Sequence, residues 1–350
     1  MADLASLFDK SGAGYWKTRS DDELLEMEFT TDDPESLENV SNDPPPDEEA
    51  MVELAYNVAG RERGRAQCVF CKHPNHDRGV VMLYRDGQRR LVGRDCAHKR
   101  YGVVFDELVK DFDAAKDRRD YVERQRTILS KRADLVDLIR TMRLDPNVAA
   151  FSDTRQRLSD FLGPAAWGRL VRVADGDGYL ATEERLRDYG REETRGGSHV
   201  RGVIVRGDVL RGADLVRSGP SVAERLLGIE REVEGVLATL NGQDVTTRSI
   251  RVSLVRLGEL MRQIEEQRIR MRGLISFFDN YNLLAVAGWL RKLDPRSPVV
   301  TATLPDRFVM ADGRDPRECG PPGDYRVPGG ALIAIMQEAV SAQRKVDRAS

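Results

Sequence analysis

Residues 68–98 read CVFCKHPNHDRGVVMLYRDGQRRLVGRDCAH and hold three of the four cysteines and three of the four histidines of this 350-residue chain. Cys68 and Cys71 form C-x2-C, the spacing that lets two thiolates on one tight turn reach a single ion. Cys96 supplies a third sulfur. A structural zinc takes four tetrahedral nitrogen or sulfur ligands, so one place is left open. His98, which makes C-x-H with Cys96, is the expected fourth ligand. His73 (C-x2-C-x-H) and His76 (C-x2-C-x4-H) are the alternatives. The expected role of the ion is structural, because a catalytic zinc keeps an open position and a nearby general base. The acids of residues 61–104 are only Glu62, Asp77, Asp86 and Asp95, and the chain is read as non-enzymatic.

The elements that must position these ligands are legible around them. VVMLY and RRLVG flank the turn pair Asp86-Gly87 and read as a hairpin. Cys96 follows where a helix should begin. A thiolate turn, a hairpin and a ligand at a helix start make the arrangement of treble-clef zinc sites. A module this small has too little core to fold well without its metal. DGQRRLVGRDCAHK also resembles the VGxxCAxK close of a zinc-finger-like segment common in phage and mobile-element proteins. The likeness covers roughly 40 residues and matches Cys68, Cys71 and Cys96 to the cysteine positions. Members of that group often carry a further cysteine where Arg94 stands here, so a histidine must complete the site. The resemblance implies a metal and a mobile-element origin, and no particular reaction.

The segment is also basic. Residues 61–104 hold eleven Lys or Arg against the four acids just named. Arg78, Arg85, Arg89, Arg90, Arg94, Lys99 and Arg100 are the candidate contacts to DNA or RNA phosphates, with Arg61, Arg63, Arg65 and Lys72 nearby. Phe70, Tyr84 and Tyr101 could stack on bases if exposed. The rival account is a protein–protein adaptor in which zinc is a staple and the arginines face water. Arginines on one free face favour the first account, and arginines paired with acids favour the second.

Charge is unevenly divided along the chain. Residues 1–50 carry fifteen acids and three Lys or Arg, while the other 300 residues carry 52 Lys or Arg and 43 acids. With three consecutive prolines, the acidic leader is expected to be disordered. Few cysteines point to a reducing, cytoplasmic setting. No apolar run approaches the roughly 18 residues of a membrane span, and the opening MADLASLFDKSGAGYW lacks the apolar core of a signal peptide.

The overall expectation is a mainly α protein with a small α+β part: a treble-clef-like zinc module and a long antiparallel helical hairpin. After the leader (1–50) and zinc module (51–104), a long amphipathic helix covers 105–145. Its stripe runs through Leu108, Phe112, Ala115, Val122, Leu129, Ala133 and Val136. Residues 146–217 read as a small mixed unit, with a helix broken near Gly163-Pro164, a short helix at TEERLRDYG and a hairpin turning at Gly207-Asp208. Residues 218–295 form the coiled-coil-like hairpin. Its stripes are Val222, Leu226, Ile229, Val233, Val236 and Leu240, then Ile250, Leu254, Leu257, Met261, Ile264, Arg268, Met271, Ile275 and Phe278. The stretch 221–279 could also serve a protein partner or self-association. Residues 296–350 read as a strand, a loop and a last helix.

Three weaker signals carry little. VADGDGYLATEE (173–184) has EF-hand spacing but Val173 at the first ligand position. Cys319 lacks a neighbouring base. His199 lies in a Gly-Ser turn. No phosphate-binding loop, dinucleotide-binding glycine pattern, nucleophile elbow or kinase motif occurs.

Overall fold

The computed structural model describes residues 14–45, 50–59, 66–73, 76–186, 201–243, 245–277, 279–293, 327 and 330–341. The described chain is mostly helical, with a small mixed four-stranded sheet. It divides into two compact units, residues 1–127 with 245–251 and residues 128–244 with 252–350. Among the described residues no helix is long and apolar enough to cross a membrane.

The first unit opens with a 3-10 turn at Trp16–Thr18 and helix α1 (Asp21–Glu26). A reciprocal capping box between Ser20 and Glu23 starts α1. Strand β1 (Thr30–Thr31) runs parallel to β2 (Ala50–Asn57), which pairs antiparallel with β3 (Arg78–Tyr84) and through it with β4 (Arg89–Val92). Gly87 takes φ 75° at the β3–β4 turn, where Asp86 accepts from the Gln88 N–H at 2.9 Å. Helices α2 (Arg94–Tyr101) and α3 (Val103–Ser130) follow, separated by Gly102 at φ 57°.

Strand β3 is buried from Gly79 to Tyr84 because both faces of the sheet are covered. Val80, Met82 and Tyr84 join the larger cluster with Trp16, Phe29 and Phe112, while Val81 joins Leu54, Tyr56 and Leu91 on the other side. A bulge in β2 between Val52 and Leu54 serves both clusters. Regular alternation would send Val52, Leu54 and Tyr56 to one face. The extra residue, Glu53, instead lets Val52 join the first cluster and Leu54 and Tyr56 the second.

The expectation of a disordered leader is overturned for residues 14–45. Trp16 is 5% exposed, donates Nε1–H to the Val52 carbonyl at 3.0 Å, and packs its ring 5.0 Å from Phe29 and 5.5 Å from Phe112. Leu24 is fully buried. The acids between these anchors meet α3: Asp21 pairs with Arg118 at 2.6 Å, and Asp22 pairs with Arg126. Lys17 reaches the largely buried Asp111 at 2.7 Å. Acid content alone suggests disorder, but the spaced anchors Trp16, Leu24 and Phe29, and arginines on α3 that pair with the leader's acids, outweigh it.

In the second unit, α4 (Arg132–Arg143) lies against α6 (Val222–Leu240). The single helix expected over 105–145 is two, broken at Lys131 (φ −103°, ψ 9°), and the break shifts the buried phase. Leu135, Leu138, Ile139 and Met142 are buried, whereas Ala133 is exposed. Helix α5 (Pro146–Asp175) kinks where Gly163, at φ 73° and ψ 166°, precedes Pro164.

The short helix expected at TEERLRDYG is strand β5 (Thr182–Leu186) over its described part, paired antiparallel with β6 (Arg201–Val205). The hairpin expected to turn at Gly207-Asp208 is therefore not formed as drawn. That segment pairs backward instead, with Leu180 N–H donating to the Asp208 carbonyl at 2.9 Å. A Cβ at Gly207 would lie 2.4 Å from the Leu180 carbonyl oxygen, so this close approach requires glycine.

Ser221 and Glu224 cap α6 reciprocally. Helix α7 (Thr247–Phe277) returns alongside it, with Arg256 paired to Glu232, and α8 (Asn280–Leu293) and α9 (Gly330–Ser341) complete the described elements. The buried stripes are broader than a strict seam. Leu237 rather than Val236 is buried on α6, and Leu260, Gln267 and Leu274 join the buried set on α7. Residues 1–13, the strand expected near 299–304, Cys319 and His199 lie outside the described residues.

Because residues 14–45 are core here, Trp16→Ala is expected to cost about 3–5 kcal/mol of stability. Urea denaturation of the full chain measures it, and an unchanged midpoint would mean that the leader does not pack.

Candidate metal centre

The ligand turn begins where Ala66 and His76 exchange backbone hydrogen bonds, at 3.2 and 3.3 Å. Between them the chain doubles back. Lys72 takes φ 58° and its N–H donates to the Cys68 carbonyl at 2.8 Å, bringing Cys68 and Cys71 to one side of the turn. Helix α2 presents Cys96 in its first turn. Gly93 precedes that helix, and its N–H points at Cys68 Sγ from 3.4 Å.

Ligand atoms of Cys68, Cys71, His76 and Cys96 all lie within 4.8 Å of one another. A tetrahedral site with metal–sulfur bonds of about 2.3 Å has edges of roughly 3.8 Å, so a small contraction suffices to close on one ion. Cys71 Sγ and His76 Nε2 are already 3.1 Å apart. Three sulfurs and an imidazole nitrogen form a donor set that could hold a metal ion.

The fourth member is His76, not the expected His98. His98 is exposed and pairs through Nδ1 with Asp106 Oδ1 at 2.8 Å, eight residues further on. His73 offers its carbonyl to the Cys68 N–H at 3.3 Å and is outside the cluster. The physical reason is the Ala66–His76 bridge, which spacing along the chain does not reveal. A second reason is Gly93: a Cβ there would lie 2.4 Å from His76 Nδ1 and 2.5 Å from its Cε1. The glycine in LVGRDC leaves room for the imidazole, and it was the sequence signal that could have favoured His76.

The electrostatics ask for a cation. Burial pushes the Cys68 thiol up, but the N–H groups of Cys71, Gly93 and Phe70 outweigh it and leave this thiol below its ordinary value. Burial, reinforced by the Cys71 and Cys68 sulfurs, pushes Cys96 up to about 12. One sulfur is thus readied as an anion while another keeps its proton, the pattern expected when like charges crowd a site without a counter-ion.

Of the seven candidate phosphate contacts, Arg89, Arg90 and Arg94 are engaged by acids. Arg89 is held by both oxygens of Glu53 at 2.7 Å each and donates to the Glu38 carbonyl at 2.9 Å. Arg90 is 4% exposed, binds Asp86 at 2.7 and 3.1 Å, and lies 4.8 Å over the Tyr84 ring. Arg94 reaches Asp113 at 3.4 Å. Arg78, Arg85, Lys99 and Arg100 are exposed. Of the stacking candidates, Tyr84 is fully buried with its hydroxyl 3.0 Å from that of Tyr101, and Phe70 packs edge-on against the same ring. Arg61, Arg63 and Arg65 lie outside the described residues. The EF-hand-like stretch is a helix end: Asp175 accepts from Ser218, and Asp177 accepts from the Tyr179 N–H.

The chain matches no protein-family model, no curated protein and no solved structure.

Two outcomes are expected for the ion. Cobalt(II) titration should give a thiolate charge-transfer band that His76→Ala and Gly93→Ala weaken at least tenfold in affinity and His98→Ala leaves unchanged. Loss in the His98 variant alone would reverse the ligand assignment. Because Cys96 keeps its proton near neutral pH, metal uptake should release protons and tighten as pH rises. Calorimetry in buffers of different ionisation enthalpy counts those protons.

Proposed function

We propose that the cluster binds zinc through Cys68, Cys71, His76 and Cys96 in a treble-clef-like module, and that the zinc is structural. Four protein donors fill a tetrahedral zinc and leave no position for water or substrate, which is the character of a staple. A turn, the β3–β4 hairpin and the start of α2 would then be tied at one point. The helical part would serve as the body of a binding protein whose partner is another protein.

The observation that carries this reading is the fate of the arginines. Arg89, Arg90 and Arg94 are engaged with Glu53, Asp86 and Asp113, and the aromatic rings that might stack on bases are packed against one another. A guanidinium held by both oxygens of a carboxylate is a weak phosphate ligand until that pair is broken. Apolar residues, by contrast, stand free on α7: Val252, Val255 and Ile269 are each more than half exposed on a helix that buries its other side. Nucleic-acid contact by the module would fall to the exposed Arg78, Arg85, Lys99 and Arg100.

Fluorescence anisotropy decides between the two. Labelled single- and double-stranded DNA and RNA are titrated with the full zinc-loaded chain, with a variant carrying Arg78→Glu and Lys99→Glu, and with Cys96→Ser. The adaptor reading expects no binding that either alteration removes. Salt-sensitive binding lost in both would make the module a nucleic-acid binder instead.

A further inference from the structure

A cleft of about 470 Å³ in the second unit brings together residues far apart in sequence, from both sides of the α5 kink, the segment 214–221, the start of α6 and the end of α7. Four guanidinium groups line it: Arg155, Arg217, Arg225 and Arg270. Phe151, Trp167, Leu215 and Leu274 supply its apolar wall. The volume lies in the range of small-ligand sites, and apolar walls with a few convergent polar groups are their usual composition.

What separates this cleft from an ordinary charged surface is how little of its positive charge is used. Arg217 is committed, giving two nitrogens to the Ala174 carbonyl and a third to Asp214 at 2.9 Å. Arg225 spends only Nε, on the Pro220 carbonyl at 2.9 Å. Among the described residues, no hydrogen bond or salt bridge engages Arg155 or Arg270. Only two acids line the cleft, against four guanidinium groups, and the charge of Arg155 already acts on one of them, Glu224. Asp214 faces Arg217, and Glu224 accepts from the N–H and hydroxyl of Ser221 at 2.8 and 3.0 Å. Burial, and after it the charges of Arg270 and Arg217, push the Arg225 guanidinium below its ordinary value. Half-buried like charges with free donors are costly unless something negative arrives.

We propose that this cleft binds a phosphate-bearing ligand of nucleotide size, with the phosphates on Arg155, Arg225 and Arg270 and a flat apolar group against Trp167 and Phe151. Planar guanidinium donors match phosphate oxygens in pairs, which gives geometry as well as charge complementarity. An aromatic wall beside them favours a nucleobase over inorganic phosphate alone. The assignment is independent of the metal centre, since no metal ligand lines the cleft.

Calorimetric titration of the full zinc-loaded chain tests it, with ATP, GTP, pyrophosphate and adenosine as probes. A 5′-phosphorylated oligonucleotide and its 5′-hydroxyl counterpart form a second pair, which separates a free nucleotide from the end of a strand as the source of the phosphate. Binding is expected for at least one nucleoside phosphate or the 5′-phosphorylated strand, weaker for pyrophosphate and absent for adenosine. The double variant Arg155→Gln, Arg270→Gln should weaken it at least tenfold. Neither side chain has a hydrogen-bond or salt-bridge partner in the described structure, so the variant should keep the parental melting midpoint. A single Trp167→Leu change should cost the nucleotide more than pyrophosphate. No binding by any phosphate probe at millimolar concentration would overturn the proposal. So would binding that the double variant retains, or that is lost instead in Arg78→Glu, Lys99→Glu.

Discussion

Everything in the small sheet module turns on how closely the His76 imidazole approaches the Gly93 backbone. That approach brings the end of the ligand turn against the start of α2, and a single methyl group at residue 93 would forbid it. The same glycine aims its N–H at Cys68 Sγ, so one position both admits a nitrogen ligand and stabilises a sulfur as an anion. Ligands from a turn, a bridge and a helix are thereby brought to one point. Without a cation the partly buried Cys96 thiol, beside the Cys71 and Cys68 sulfurs, keeps its proton. The sheet beside it, bulged at Glu53 so that β2 serves two clusters, is already fully covered. A metal bound there would therefore add a tie to an existing core and would not substitute for one. The sequence-based view of a module too small to fold alone overlooked that residues 14–45 and α3 extend this core.

How far the sequence could be read follows from the range of each interaction. The C-x2-C pair, the Asp86-Gly87 turn and the Ser221/Glu224 cap are local, and their residues lie within a few positions of each other. The predominance of helix was legible for the same reason, from apolar spacing along 222–240 and 250–277. The choice among His73, His76 and His98 was not local. It depended on a backbone bridge to Ala66 and on space at Gly93, seventeen residues away. The strand at Thr182–Leu186 was missed because its charged residues suit a helix, and only the partner at 201–205 makes it a strand. Lys131 breaks a helix without glycine or proline, so its phase shift had no marker in the chain. In the acidic leader composition points to disorder, but Trp16, Leu24 and Phe29 are spaced to reach one aromatic cluster and hold it in place.

The arginines carry the same lesson into function. A count of eleven basic residues in 61–104 describes potential charge, and what matters is the charge left over after internal pairing. Arg89 and Arg90 lose most of theirs to Glu53 and Asp86, and Arg90 is also buried over Tyr84. Taking either guanidinium to a phosphate would mean breaking a two-bonded ion pair and uncovering part of the sheet. In 146–274 the arginines are more widely spaced along the chain. Yet Arg155, Arg225 and Arg270 converge there with most of their donors unspent. The energetic argument favours a ligand where charge is concentrated, partly desolvated and unpaired, because there the anion replaces repulsion and displaces no existing partner. On that criterion the cleft beside α6 and α7 is a better candidate for an anion than the most basic stretch of the sequence.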